Sequence, residues 1–532
     1  MSGVDKRVPI TIVSGFKSNG KSEARLISPQ VANILKSGSD LKTVVLTQDV
    51  QKIKDLADAN AVQLAEDDCI QLKDGCVCCS LRSELMGQVY DLAKSEKYGY
   101  IIVEASDAAD PEELAETFSA EMEDDEEDDE EADEEGLEID EHDRIASEKV
   151  KQIMKEGGLN KFVKVDSAVT IVNAETVLSD FHSTEFVGDG SKKDDEEDEE
   201  EESTLTDALI AQIEFADAIY LNNASKASAE VKQQAHGVIK ALNKRAKVIE
   251  IDNSAVEAKD VINAGLFTPV ESFNPEWLRA VKNSAGGDSY ANNNGIESFV
   301  YRRRVPFHPA RLAKLFKESF HFIQQSEAQD DEWEDQEEDA EEDEGKGKGK
   351  AVAEAEEEEA PLDEITTENL VDASSRKQKG VFASLLRAKG SFWIASRVAV
   401  GGALQSSGPV LSAASGEMWY SKIPEEDLAQ VTPDEQKYVR EVVFDGKFGD
   451  RRQEIFIVGG PNFNRKEIEQ TLDAALLTDD EFKTYTSIFD KELGVLEKDE
   501  ELAKVFEGDS EFVQWADDLI MALLDEEEED DN

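Results

Sequence analysis

The sequence predicts an α/β chain in which a doubly wound, mostly parallel sheet is followed by a smaller α+β domain. Three observations carry this expectation. An apolar run, Pro9-Ile10-Thr11-Ile12-Val13, leads straight into Gly15-Phe16-Lys17-Ser18-Asn19-Gly20-Lys21-Ser22 and then into a helix-like stretch, Glu23 to Lys36. Further strand-like segments alternate with helix-like ones over the first 270 residues, the pattern of right-handed crossovers that builds a parallel sheet covered on both faces. Beyond residue 295 helices thin out and aromatics increase, as expected where a helix layer covers an antiparallel or mixed sheet.

The first element is the most informative. Residues 15 to 22 spell a complete GxxxxGKS loop. Between a buried strand and a helix, such a loop turns its backbone N–H groups around a phosphate, and the helix points its positive end at the same anion. Lys21 is placed to reach the terminal phosphates of a nucleoside triphosphate and Ser22 to hold Mg²⁺. This predicts the P-loop NTPase variety of doubly wound sheet.

The later strands are expected at Lys42 to Leu46, Tyr98 to Glu104, Phe162 to Val172, Ala216 to Leu221 and Ala246 to Ile251. Helices are expected at Leu81 to Lys94, Glu112 to Ser119, Leu205 to Glu214, Ala229 to Asn243 and Ser254 to Ala264. Residues 1–270 then form the nucleotide-binding domain, with acidic insertions at about 121–141 and 191–203, and 271–295 form a linker whose Asn283 to Gly295 stretch is rich in Asn, Gly and Ser. The α+β domain takes residues 296–490, interrupted by an acidic insertion at about 327–360, and 491–532 is a helical and acidic tail. Within it Ser298 to Val305 and Gln453 to Val458 read as strands, Pro309 to Phe320 and Arg465 to Ala475 as helices, and Gly380 to Ser396 as mainly extended.

The formal charge of -64 over 532 residues is local. Five runs hold 50 of the 121 carboxylates, and the remaining 71 face 57 Lys and Arg. Such runs repel themselves and bury no apolar area, so they are expected as solvated insertions, while 39% apolar content suffices for cores. No basic stripe is available to displace counterions, which argues against nucleic acid as a partner. No run approaches 18 apolar residues and no signal sequence opens the chain, so the expectation is a cytoplasmic protein, possible in the nucleus too, without a membrane partner.

Three of the four cysteines, Cys76, Cys78 and Cys79, fall within four positions immediately before a helix-like stretch. As thiolates they suit Zn²⁺, with Cu(I) as the softer alternative, and the helix N-terminus favours the thiolate form. A fourth ligand is open. Cys69, beside Ile70 and Leu72, reads as a small packed side chain rather than a ligand. Trp393 and Trp419 read as core. His308, between Phe307 and Pro309, is either a helix-entry residue or a metal or nucleotide contact, and the other histidines show no ligand spacing.

Taken together these blocks resemble the CobW-like P-loop GTPases, a family that includes zinc metallochaperones. The resemblance rests on Gly15 to Ser22, on Asp74-Gly75-Cys76-Val77-Cys78-Cys79-Ser80-Leu81-Arg82, and on Ile101-Ile102-Val103-Glu104-Ala105-Ser106 with Ala109-Asp110-Pro111. In the second region it rests on Phe299 to Arg302 with Pro306-Phe307-His308-Pro309-Ala310-Arg311-Leu312, on Leu386 to Trp393, and on Leu476 to Phe482. It implies that GTP binding and hydrolysis govern zinc delivery to a client metalloprotein, methionine aminopeptidase being one such client in the family. It also implies a catalytic set in which Lys21 and Ser22 hold phosphate and Mg²⁺ and Glu104 lies at the phosphate-sensing strand end, and that Cys76, Cys78 and Cys79 hold zinc.

The chain departs from the family pattern at several positions. Where an NKxD tetrapeptide reads guanine, it has Asn222-Asn223-Ala224-Ser225, so Asn222 is kept as a nucleotide contact but residue 225 offers no carboxylate to the guanine amino and imino groups. Ser18 and Ser22 stand where Gly and Thr are usual, Asp107 replaces a Gly whose N–H meets the γ-phosphate, and Thr47-Gln48-Asp49-Val50 lacks an Asn-Glu or Asn-Asp pair. Hydrolysis is therefore expected to be slow or lost. Two further readings remain open beside a nucleotide-driven zinc chaperone: a nonhydrolytic zinc carrier or adaptor whose acidic insertions dock basic client surfaces, and an acidic chaperone for basic proteins.

Overall fold

The computed structural model describes residues 5–15, 31–32, 34–35, 41–59, 68–72, 81–105, 108–121, 141–187, 203–252, 260–283, 290–325, 365–421, 446–513 and 515. Packing divides the chain into two compact units, one of Met1–Phe299 with Ser384–Leu386 and Val458–Phe463, the other of Val300–Ala383, Arg387–Ile457 and Asn464–Asn532.

Among the described residues the first sheet has seven strands: β1 (Val8–Gly15), β2 (Thr43–Thr47), β3 (Cys69–Gln71), β4 (Tyr100–Glu104), β5 (Val163–Asn173), β6 (Ala218–Asn222) and β7 (Lys247–Glu250). Their order is β3-β2-β4-β1-β5-β6-β7 and every pairing is parallel. Helices α1 (Val50–Ala59), α2 (Arg82–Lys94), α3 (Pro111–Ser119), α4 (Glu141–Lys155), α5 (Leu205–Phe215), α6 (Ala229–Leu242) and α7 (Glu276–Asn283) join or follow the strands. Because both faces are covered, the central strands are apolar at nearly every position. Ile10, Ile12, Val44, Leu46, Ile101 and Val103 face a core shared with α2, α3 and α4, and Val13, Val45, Tyr100 and Ile102 face the opposite core with Ile53 of α1. Each fully buried aliphatic side chain contributes roughly 1.5–3 kcal/mol.

Polar clasps hold the feet of the strands. Asp166 of β5 accepts Tyr100 Oη at 2.6 Å, Ala264 N at 2.8 Å and Gly265 N at 2.9 Å, while its carbonyl accepts Leu266 N and Phe267 N at 2.9 Å each. Asp217, just before β6, accepts Ala168 N of β5 at 2.8 Å, is paired with Arg245 before β7, and accepts Ser272 Oγ at 3.2 Å. Phe215, Phe267 and Phe273 pack as a trio within 6.3 Å of one another.

The second sheet, most of whose residues belong to the second unit, runs β10-β13-β12-β11-β14-β9-β8. Its strands are β8 (Tyr290–Asn293), β9 (Ile296–Arg303), β10 (His321–Gln325), β11 (Leu385–Phe392), β12 (Val400–Ser407), β13 (Val410–Met418) and β14 (Gln453–Gly459). It is mixed: β10 pairs β13 in parallel, whereas β11/β12, β12/β13 and β8/β9 are antiparallel. The helices here are α8 (Pro309–Ser319), α9 (Thr367–Lys379), α10 (Arg465–Asp473), α11 (Asp479–Phe489) and α12 (Val495–Val505).

Several local expectations change. The Asn/Gly-rich stretch expected as linker contains β8, which turns into β9 through Asn294 (φ 56°) and Gly295 (φ 84°), the Asn-Gly pair that a tight hairpin requires. Residues 260–263, expected within a helix, form turns. The extended segment expected from Gly380 begins only at Leu385, after α9 ends at Lys379. The edge strand β3 is too short to show a period, and α1 and α4 were not anticipated either.

Candidate functional site

The C-terminal edge of the parallel sheet gathers the described site residues. β1 ends at Gly15, whose φ is +152° and where a Cβ would lie 2.8 Å from the Ile171 carbonyl oxygen of β5, so glycine is required as the strand enters the loop. Residues 16–22, which include Phe16, Lys17, Ser18, Asn19, Gly20, Lys21 and Ser22, lie outside the described residues, as do Cys76, Cys78, Cys79 and Asp107.

Glu104 closes β4 directly beside β1, in register with Val13, and Ala105 N donates to Val13 O at 2.9 Å. Glu104 is 3% exposed, and the hydroxyl of Thr47, the last residue of β2, donates to its carboxylate. Thr47 Oγ1 in turn accepts Asp49 N at 3.0 Å, which fixes its orientation. A hard oxygen donor held at the strand end beside the loop suits Mg²⁺. Sequence reading gave no role to Thr47; its place at the end of a strand was the available signal. The Ala109-Asp110-Pro111 tripeptide starts a helix: Asp110 accepts Glu112 N at 2.7 Å and Pro111 takes the first helical position of α3.

At the other side of this edge, Asn222 closes β6 fully buried and in register with Asn173. Asn223 adopts φ 57°, donates from Nδ2 to Asn173 Oδ1 at 3.3 Å, and accepts Lys226 Nζ at 2.9 Å. The chain leaving β7 runs alongside: Ala224 N donates to Ile251 O at 3.3 Å and Ser225 N to Asp252 Oδ1 at 2.7 Å.

Cys69 sits buried in β3, and burial pushes its thiol up to about 11, so it packs as a neutral side chain. Among the described residues no group of His, Cys, Asp and Glu is arranged to hold a metal ion. His308 occupies the N-cap position of α8 without a side-chain capping bond, packs edge-on against Phe506 at 5.9 Å, and is held below the usual imidazole range by burial, the behaviour of a helix-entry residue. Trp393 and Trp419 lie in the second unit's core with Tyr485.

The separated motif blocks of the second region converge. Phe307 bridges to Ile394 and to Leu476, and its N–H donates to Trp393 O at 2.8 Å. Arg311 reaches Glu481 through two bonds of 3.0 and 2.7 Å and Leu476 O at 2.8 Å. That guanidinium, together with Thr478, holds the Glu481 carboxyl at about 2 while Glu481 closes the capping box of α11. These residues build the fold of the second unit.

A wholly parallel sheet with an acid on the strand beside the GxxxxGKS strand defines a P-loop nucleotide-binding protein. Residues 9–136 and 144–250 match the CobW/HypB/UreG nucleotide-binding domain, and residues 356–476 the cobalamin synthesis protein CobW C-terminal domain. In order and together they span well over half of the chain, which belongs to the CobW-like family of P-loop GTPases and zinc metallochaperones. It is 25% identical to the zinc-regulated GTPase metalloprotein activator 1 of Dictyostelium discoideum over 93% of this chain and 86% of that protein. The zinc chaperone CobW of Sinorhizobium sp. is 22% identical over 55% of this chain and 72% of its own length. The Zn(II)-bound YjiA GTPase from E. coli aligns over 88% of this chain and 99% of its own at 12% identity and a TM-score of 0.29.

Proposed function

We propose that the chain is a GTP-dependent zinc metallochaperone of the cytoplasm, which couples triphosphate binding or hydrolysis to transfer of Zn²⁺ to a client metalloprotein. The observation that carries this reading is Glu104, buried at the end of β4 in register with the strand that feeds the GxxxxGKS loop. In this reading Gly15 to Ser22 cradle the phosphates, Lys21 neutralises their charge, and Ser22 and Glu104 hold Mg²⁺ and orient the attacking water. Mg²⁺ held by these residues would supply charge neutralisation to the phosphates. Zn²⁺ is the cargo, gripped as a soft cation by the thiolates of Cys76, Cys78 and Cys79. The names of the relatives, a zinc-regulated GTPase activator of metalloproteins and a zinc chaperone, support zinc as that cargo and a metalloprotein as the recipient. The family's methionine aminopeptidase is one candidate recipient.

A nonhydrolytic zinc carrier or adaptor is the second reading, favoured by Asp107 and Ser225 at positions where the family pattern differs. Turnover of GTP and ATP with and without Zn²⁺ separates the two. The first reading expects GTP hydrolysis abolished by Lys21→Ala and Zn²⁺ binding abolished when Cys76, Cys78 and Cys79 are all changed to Ser. Tight zinc binding with no turnover in the parent protein selects the second, and zinc binding undiminished in the triple variant overturns the metal assignment.

A further inference from the structure

We propose that Asp252, in the loop after β7, reads the guanine base in place of the carboxylate that residue 225 lacks. This rests on the nucleotide-binding reading above and deepens it, since it assigns the base specificity of the same site to a residue outside the tetrapeptide.

The placement comes from the sheet. β6 and β7 are parallel neighbours, with Ile251 N donating to Leu221 O at 2.9 Å and Ala224 N to Ile251 O at 3.3 Å. The residues leaving β7 are thereby laid against Asn222 to Ser225. Asp252 Oδ1 accepts Ser225 N at 2.7 Å, so with an N–Cα bond of about 1.46 Å that oxygen lies no more than about 4.2 Å from the Ser225 Cα. That is about as far as an aspartate at 225 would carry its own carboxylate. β6 lies two strands from β1, roughly 10 Å at the usual strand spacing, which separates the proposed base position from the end of β1 along the same edge.

The chemistry matches the placement. Guanine presents two donors on one edge, its ring N–H and its exocyclic amine, and an ionised carboxylate accepts both in a paired geometry. Adenine presents an acceptor and no amine at those positions and is repelled. The Ser225 N–H and hydroxyl, with the positive charges of Lys226 and Lys232, hold the Asp252 carboxyl below its ordinary range, so it stays ionised at neutral pH. Asp252 is exposed, as a base-reading group has to be. Ser225, where the family pattern has its acid, becomes the post that anchors the substitute.

A plain turn-capping role for Asp252 makes a different prediction, and Asp252→Asn distinguishes the two. An asparagine still accepts the Ser225 N–H, so the turn is kept. Its NH₂, however, faces the guanine amine and complements the carbonyl that xanthine carries at the same carbon. Competition against a fluorescent GTP analogue, with Mg²⁺ present, is expected to show that the parent protein prefers GTP to ATP. In the variant GTP should weaken by about 10- to 100-fold, the scale of one bidentate base contact, while XTP gains by a similar factor. Undiminished GTP preference without any gain for XTP overturns the assignment, as does a parent protein that binds GTP and ATP alike. A parent protein that binds neither, indistinguishable from Lys21→Ala, defeats the nucleotide reading itself.

Discussion

The two sides of the parallel sheet's C-terminal edge treat their acids in opposite ways. On the phosphate side Glu104 is buried in mid-sheet, with Thr47 of the adjacent β2 strand bonded to it. On the base side Asp252 is exposed on a loop and tethered by a neighbouring turn. An acid that serves a metal ion gains from rigid placement inside a strand, where its neighbours leave it little rotamer freedom. An acid that reads a base edge has to be reached by a ligand, and any loop that passes the same point can carry it. On the assignment proposed for Asp252, base recognition has moved between loops, whereas the strand-end acid stays with its strand.

The largest test of this contrast lies below the base side. Arg245→Ala removes the partner of Asp217, whose carboxyl burial pushes up, and leaves a charge stranded between the feet of β5, β6 and β7. Denaturant unfolding should show a loss of about 3–5 kcal/mol. The preference for GTP over ATP should persist in the folded fraction. A changed base preference without loss of stability would break the comparison.

A third acid supplies a reference that serves neither metal nor base in this reading. Asp499 accepts Val398 N at 2.8 Å, and burial pushes its carboxyl up to about 7. Between about pH 4 and 7 the folded protein keeps a proton there that the unfolded chain has released, so stability falls as pH rises through that window and the loss is complete above it. Asp499→Asn should remove this dependence and become more stable than the parent above pH 7 by at most about 4 kcal/mol, measured as the difference between their stability–pH curves. Parallel curves would show that the group ionises freely in the fold.

The smallest effect belongs to the phosphate side. Thr47→Val takes away a donor to Glu104 without changing side-chain volume much, and should lower Mg²⁺-dependent GTP affinity about tenfold, or about 1.4 kcal/mol. Affinity in EDTA should be unchanged, and Thr47→Ser should restore the parent value. Equal losses with and without Mg²⁺ would assign Thr47 to packing alone.

Where local chemistry dictated an element, it was legible in the sequence. The alternating apolar segments placed β1, β4, β5 and β6 within two residues of where they lie, because a central parallel strand has to be apolar on both faces. The short edge strand β3 was not legible, since three residues carry no period, and β8 was hidden by the Asn/Gly composition that makes its hairpin turn. At the sheet's C-terminal edge, the family resemblance pointed to Glu104 and Asn222 as strand-end residues, and both lie at strand ends. Thr47 and Asp252 were not legible, because their contacts with Glu104 and Ser225 come from pairing across strands distant in sequence, β2 with β4 and β6 with β7. His308 and Trp393 show the converse: members of two separate motif blocks that the fold employs as helix entry and core.

The Asp166 clasp bears on where the nucleotide-binding half can be cut as an independent piece. Similarity to the family's nucleotide-binding domain stops at residue 250, yet four successive amides, from Ala264 to Phe267, converge on Asp166 beneath the sheet, and Phe267 and Phe273 close over Phe215. A fragment trimmed to the homologous boundary would strip a buried carboxylate of two donors and uncover an aromatic face. The shortest self-sufficient version of this half therefore extends past Phe273, more than twenty residues beyond the point that sequence similarity suggests.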